Sequence, residues 1–97
     1  MSIIKITPFN GTGFADCTAV KMEFTGGDYT DDYICDTFRK GDVSEIRRGR
    51  DDLDVDIYFS SSLEREITFD PLNEIDGVTY ATNEDFYNAL CTAIFGA

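Results

Sequence analysis

The sequence predicts a single α+β domain over residues 1–97, in which about six β-strands form an antiparallel meander and one C-terminal helix packs on it. Two observations predict this fold class. Segments of strand length, some with alternating apolar and polar residues, lie between evenly spaced turn signals. After residue 83 the apolar residues change to the spacing of a helix.

Glycine-containing and serine-rich turn signals divide the chain into strand-length segments. These signals are Asn10-Gly11, Gly26-Gly27, Lys40-Gly41-Asp42, Ser60-Ser61-Ser62 and Asp76-Gly77. The predicted strands are residues 2–9, 20–24, 32–38, 43–49, 53–59 and 63–70. Residues 32–38 and 43–49 alternate more weakly, which is typical of edge strands.

The fifth predicted strand follows the stretch RRGRDDLDVD, residues 47–56, in which three arginines precede four aspartates. Its apolar side carries Leu53, Val55, Ile57 and Phe59, and its polar side carries Asp52, Asp54, Asp56 and Tyr58. This alternation predicts a strand with one face in the core.

A three-residue loop, Ser60 to Ser62, predicts a hairpin between the last two of these strands. The apolar pairs in this register are Phe59 with Leu63, Val55 with Ile67, and Leu53 with Phe69. The same register sets Asp56 opposite Glu66 and Asp52 opposite Asp70 on the solvent face. Like charges in such positions cost up to ~1 kcal/mol per pair, so these facing carboxylates need an explanation.

Three explanations for these facing carboxylates are open: the nearby arginines of the same chain, a basic protein partner, or a divalent cation. The candidate interaction residues are Asp52, Asp54, Asp56, Glu64 and Glu66, with Arg47, Arg48 and Arg50. An EF-hand loop beginning at Asp52 is excluded, because Ile57 stands where that loop needs glycine and Leu63 stands where it needs glutamate. We therefore assign no metal-ligating residue.

The C-terminal segment predicts a helix from Asn83 with one apolar face. That face carries Phe86, Ala89, Leu90, Ala93 and Ile94. Thr82 caps the start of the predicted helix and Gly96 ends it. The preferred interpretation is a helix packed on the sheet, and the alternative is a helix presented to the groove of a partner.

The composition argues against several classes of function. A net charge of −11 repels nucleic-acid phosphates and anionic lipid heads, so we expect protein partners and no direct nucleic-acid or membrane binding. The chain has no histidine and no recognisable nucleophile or phosphate-binding motif, so we expect no enzymatic activity and no cofactor. We also expect no signal peptide, and three reduced cysteines: Cys17, Cys35 and Cys91.

The C-terminal order ITFDPLNEIDGVTYATNEDFYNALCTAIF, with its DGVTYAT turn and capped helix, resembles the end of small virion proteins of tailed bacteriophages. The resemblance covers about a third of the chain. It implies a structural or accessory virion protein, located in the particle or in the host cytoplasm before assembly, that acts as a homo-oligomer or on a virion lattice. The alternative hypothesis is a small acidic inhibitor of a host defence protein that mimics DNA.

Overall fold

The computed structural model describes residues 3–25, 35–49 and 53–96, and within these ranges the chain is an α+β protein, as predicted. The described strands are β1 (Ile3–Pro8), β2 (Ala19–Thr25), β3 (Cys35–Arg39), β4 (Val43–Arg48), β5 (Asp54–Phe59), β6 (Glu64–Thr68), β7 (Glu74–Ile75) and β8 (Val78–Thr79). A 3-10 turn spans Lys40–Asp42 and helix α1 spans Asn83–Phe95. The described part thus has eight strands where six were predicted, because β7 and β8 have two residues each and are too short to show a period.

The strands form two sheets, which corrects the prediction of one antiparallel meander. A five-stranded sheet has the order β3-β2-β1-β7-β8, and a three-stranded sheet has the order β4-β5-β6. The pairing of β1 with β7 is parallel, whereas the other pairings are antiparallel. The apolar pattern of a strand tells which side faces the core but not which strand lies beside it, so this order was not predictable.

Apolar side chains from both sheets and the helix meet in one buried cluster. Its members are Ile4, Ile6, Val20, Met22, Val43, Ile46, Val55, Ile57, Ile67, Ile75, Phe86, Leu90 and Ile94. Phe69 and Tyr80 pack edge-on against Phe86, at centroid distances of 5.9 Å and 6.3 Å. The helix therefore packs in the core that the two sheets share.

Helix α1 begins and ends as predicted. The Thr82 hydroxyl accepts a hydrogen bond from the Asp85 N–H at 3.1 Å, and Gly96 adopts the left-handed conformation with φ 77°. Phe86, Leu90 and Ile94 are buried. These contacts favour the interpretation of a helix packed on the sheets.

The hairpin of β5 and β6 has the predicted register, with Val55 opposite Ile67. Ser62 takes a left-handed conformation, φ 72°, that closes the three-residue loop. Leu53 and Leu63 were expected on the core face but are 62% and 67% exposed. They lie just outside β5 and β6, at opposite ends of the hairpin, where the core does not cover them.

The two predicted edge strands lie at sheet edges, β3 in the larger sheet and β4 in the smaller one. Residues 32–34, the start of the predicted third strand, lie outside the described residues. Cys17 is a buried free thiol and Cys91 a half-buried one, while the side chain of Cys35 is outside the described part. None of the helices in the described ranges is long and apolar enough to span a membrane.

Candidate functional site

The outer side of the three-stranded sheet, away from the core, collects most of the charged residues singled out in the sequence. One row across β4, β5 and β6 is Arg47, Asp56 and Glu66, and the next row is Glu45, Tyr58 and Glu64. We call the set Glu45, Arg47, Asp54, Asp56, Tyr58, Glu64 and Glu66 the acidic face. It holds five carboxylates and one guanidinium.

Arg47, the one cation of the acidic face, is engaged with its own strand. Its guanidinium makes two hydrogen bonds to the Glu45 carboxylate, Nε to Oε2 at 2.6 Å and Nη2 to Oε1 at 3.1 Å. The same group lies 5.2 Å from the centre of the Tyr58 ring. Hydrogen bonds from Arg47 lower the pKa of Glu45. Arg47 lies opposite Asp56 on β5, but the ion pair that it forms among the described residues is with Glu45.

Asp56 lies at the centre of the acidic face and is poorly compensated. Among the described residues, its Oδ1 is a buried side-chain oxygen with no hydrogen-bond partner. Burial is the largest cause that raises the pKa of Asp56, and the charges of Asp54 and Glu64 raise it further. The ionised form of this carboxyl group is therefore destabilised by its surroundings.

Tyr58 lies beside Asp56 on the acidic face, and its pKa, like that of Asp56, is raised by burial and by nearby carboxylates. Burial raises the pKa of Tyr58 first, and the charges of Glu64 and Asp56 raise it further. The Tyr58 hydroxyl also hydrogen-bonds the Glu64 carboxylate, which disfavours loss of its proton. At neutral pH the phenol is neutral and presents an apolar ring among carboxylates.

The geometry of Asp54 depends on Gly49, the residue after β4. The Gly49 N–H donates to the Asp54 carbonyl at 2.7 Å, so the two chains run close together. A Cβ atom on Gly49 would lie 2.6 Å from the Asp54 Cβ. The absence of a side chain at Gly49 therefore allows β4 and β5 to stay paired to this end of the acidic face.

Arg48 points to the other side of β4, which sequence reasoning did not anticipate. It is paired with Val55, a core position, and its Nε donates to the Asn83 Oδ1 at 2.9 Å. The Asn83 Nδ2 in turn donates to the Asp54 carbonyl at 3.1 Å. Arg48 and Asn83 thus fasten the start of α1 to the back of the acidic face.

The structure brings together five of the eight predicted interaction residues: Arg47, Asp54, Asp56, Glu64 and Glu66. Arg50 and Asp52 lie outside the described residues. Asp70, expected opposite Asp52 on the solvent face, is buried, and its Oδ1 accepts a hydrogen bond from the Leu72 N–H at 2.8 Å. The Asp70 carbonyl accepts a hydrogen bond from the Asn73 N–H at 2.9 Å, which closes a turn that contains Pro71, and Asp70 is not part of the acidic face.

Glu45 and Tyr58 belong to the acidic face but were not singled out as interaction residues. The pairing of β4 with β5 shifts between Val43 and Glu45, which breaks the two-residue period of β4. The spacing of Glu45 and Arg47, two residues apart, was the signal that could have placed both on the same side of β4. No three His, Cys, Asp or Glu side chains in the described ranges form a group that could hold a metal ion.

Comparison of the chain with protein-family models, with curated proteins and with solved structures gives no match.

Proposed function

We propose that this chain is a non-enzymatic protein that works through protein–protein contacts, as a structural or accessory subunit of a bacteriophage particle. In this proposal the acidic face binds a basic surface of another protein. The observation that supports this contact is Asp56, a carboxylate with one buried, unpartnered oxygen among like charges.

A basic partner would relieve the electrostatic cost of the acidic face. Arginine or lysine side chains laid across β5 and β6 can donate to the Asp56 oxygen and offset its repulsion with Asp54 and Glu64. Tyr58 offers an aromatic ring that already holds one guanidinium and suits a second. A sheet surface of this kind fits a protein better than a small molecule, which needs a concave site.

The particle assignment rests on the resemblance of residues 67–95 to the end of small virion proteins and on the acidic, compact character of the chain. If it is right, the chain should co-purify with the shell of the phage that encodes it, in a fixed ratio that survives density-gradient centrifugation. Mass spectrometry of the purified particles measures that ratio. Particles that lack the chain would rule out a role as a virion subunit.

Titration with an arginine-rich peptide tests where the contact lies. Backbone NMR shifts should move first in β5 and β6, and raising the salt concentration should weaken the binding, because the attraction is between charges. An uncharged peptide of equal length is the control. Shift changes that lie outside the three-stranded sheet would reject the acidic face as the binding surface.

A second candidate function, DNA mimicry, is favoured by the spacing of Asp54 and Asp56 on one strand face. Alternate residues on a strand lie about 6.6–6.8 Å apart, which is comparable to the spacing of phosphates along DNA. A mimic should displace DNA from a DNA-binding protein, and Asp54→Asn/Asp56→Asn should lose this ability. Competition that is unchanged in the double variant would exclude the mimic.

A further inference from the structure

An open, mostly apolar groove of about 790 Å³ runs along the C-terminal half of α1, on a part of the molecule distinct from the acidic face. Its lining includes Phe14, Ile75, Ala89, Ala93, Phe95 and Lys40. The small side chains of Ala89 and Ala93 leave room along the helix, and Phe95 is partly exposed at its end. The groove therefore has the shape and the apolar lining to receive a side chain from another molecule.

Lys40 supplies a cation at this groove. Its Nζ donates one hydrogen bond, to the Phe14 carbonyl at 2.6 Å. It forms no ion pair with a carboxylate of the described residues, although Asp76 also lines the groove. An ammonium group has three donors, so Lys40 can still bind a carboxylate. The groove thus favours an occupant that combines an apolar side chain with a negative charge.

The tip of the β5–β6 hairpin has the complementary chemistry. Leu63, just after the Ser60–Ser62 loop, is 67% exposed, the highest value among the large apolar residues described. The side chains of Asp42 and Glu64 line the same shallow depression as Leu63, together with Arg65. The hairpin tip therefore presents an exposed apolar side chain near two carboxylates and one guanidinium.

We propose that the hairpin tip of one copy of this chain inserts Leu63 into the α1 groove of a second copy, where Glu64 meets Lys40. This inference deepens the proposed function, on which it rests, by naming a second copy as one partner. One inserted side chain and one ion pair bury much less than the roughly 1,200–2,000 Å² of a stable interface. The contact is therefore weak between two free chains and gains strength where many copies are arrayed.

The test is sedimentation equilibrium of the full chain from micromolar to millimolar concentration, on four variants and the wild type. Wild type should associate reversibly, and Leu63→Ser, Lys40→Glu and Glu64→Lys should each weaken association by about tenfold. The double variant Lys40→Glu/Glu64→Lys should restore it, because the ion pair is re-formed with its charges exchanged.

Two control variants separate this contact from general surface effects. Leu72→Ser removes a leucine that is 58% exposed but lies away from the hairpin tip, and Lys5→Glu reverses an exposed lysine on β1. Both should associate like the wild type. Denaturant unfolding of every variant identifies any that fails to fold. If Glu64→Lys or Lys40→Glu does, Glu64→Gln and Lys40→Gln replace them, and both should weaken association.

Three results would overturn the proposal. A wild type that stays monomeric at every concentration excludes the contact between two copies. In that case, peptide binding at the acidic face would still support the proposed function. Association that is insensitive to Leu63→Ser places the interface elsewhere. Folded single variants that weaken association without rescue in the double variant exclude the pairing of Glu64 with Lys40.

Discussion

Two aspartates, Asp56 and Asp16, have opposite surroundings at the scale of single residues. Asp16 lies in an exposed loop and accepts hydrogen bonds from the Thr12 N–H, the Thr12 hydroxyl and the Gly13 N–H, which lower its pKa. Burial and neighbouring carboxylates raise the pKa of Asp56. Ionisation of Asp16 therefore stabilises the fold, whereas ionisation of Asp56 destabilises it.

Asp56→Asn should raise the free energy of unfolding by about 1 kcal/mol at neutral pH, because it removes a charge that faces like charges. The raised pKa means that the wild type regains stability as the pH falls through the folded-state value, when Asp56 takes up its proton. The advantage of the variant should therefore shrink towards acid pH. Urea unfolding measured across the acid and neutral range tests this.

Asp16→Asn is the matched control, since the same chemical change should have the opposite effect. The lowered pKa of Asp16 means that its stabilising contribution is present above the ordinary aspartate pKa and is lost as the pH falls through the folded-state value. The variant should be less stable than the wild type at neutral pH, and the difference should fade in acid. Equal effects of the two substitutions would contradict the assigned environments.

Two buried asparagines show what the sequence does not reveal at this scale. Asn73 accepts a hydrogen bond from the Ile4 N–H at 3.0 Å and donates to the Thr68 carbonyl at 3.1 Å, which ties β1 to the end of β6. Asn83 joins the start of α1 to Asp54. Most of their partners, Ile4, Arg48 and Asp54, lie 29 to 69 residues away along the chain, and no local pattern distinguishes these asparagines from exposed turn residues.

At the scale of elements, the helix and the β5–β6 hairpin were predictable because local signals agree. Thr82, the apolar spacing and Gly96 define α1, and the serine loop fixes the register that pairs Val55 with Ile67. The parallel pairing of β1 with β7 was not predictable, since it joins segments distant in sequence through only two residue pairs, Lys5 with Glu74 and Ile6 with Ile75.

Leu90→Ala tests whether α1 is a core element. Leu90 is fully buried in the cluster shared by the two sheets, so its truncation should lower the free energy of unfolding by ~2–5 kcal/mol. Asn88→Ala, an exposed position on the same helix, should change it by less than about 0.5 kcal/mol. Denaturant unfolding of both variants gives the comparison. An unchanged midpoint for Leu90→Ala would show that the helix contributes little to the core.

At the scale of the whole molecule, the two sheets and α1 face one core, and the outer side of the smaller sheet is left to carry the acidic face. The predicted register placed Asp56 opposite Glu66. The ion pair of Arg47 with Glu45 and the hydrogen bond from Arg48 to Asn83 were not predictable from the sequence, because they depend on the three-dimensional arrangement. Arg47 and Arg48 therefore do not neutralise the centre of the face. We propose that the acidic face keeps these like charges because it binds a basic partner.

The most direct test of the account measures stability and binding on one variant whose acidic face is neutralised, Asp54→Asn/Asp56→Asn/Glu64→Gln/Glu66→Gln. We predict that its free energy of unfolding rises by about 1 kcal/mol or more, because like charges no longer face each other. We also predict that its affinity for the arginine-rich peptide falls by at least about tenfold, because the attracting charges are gone. A variant that is no more stable than the wild type and binds the peptide equally well would contradict the assignment of the acidic face as a contact surface.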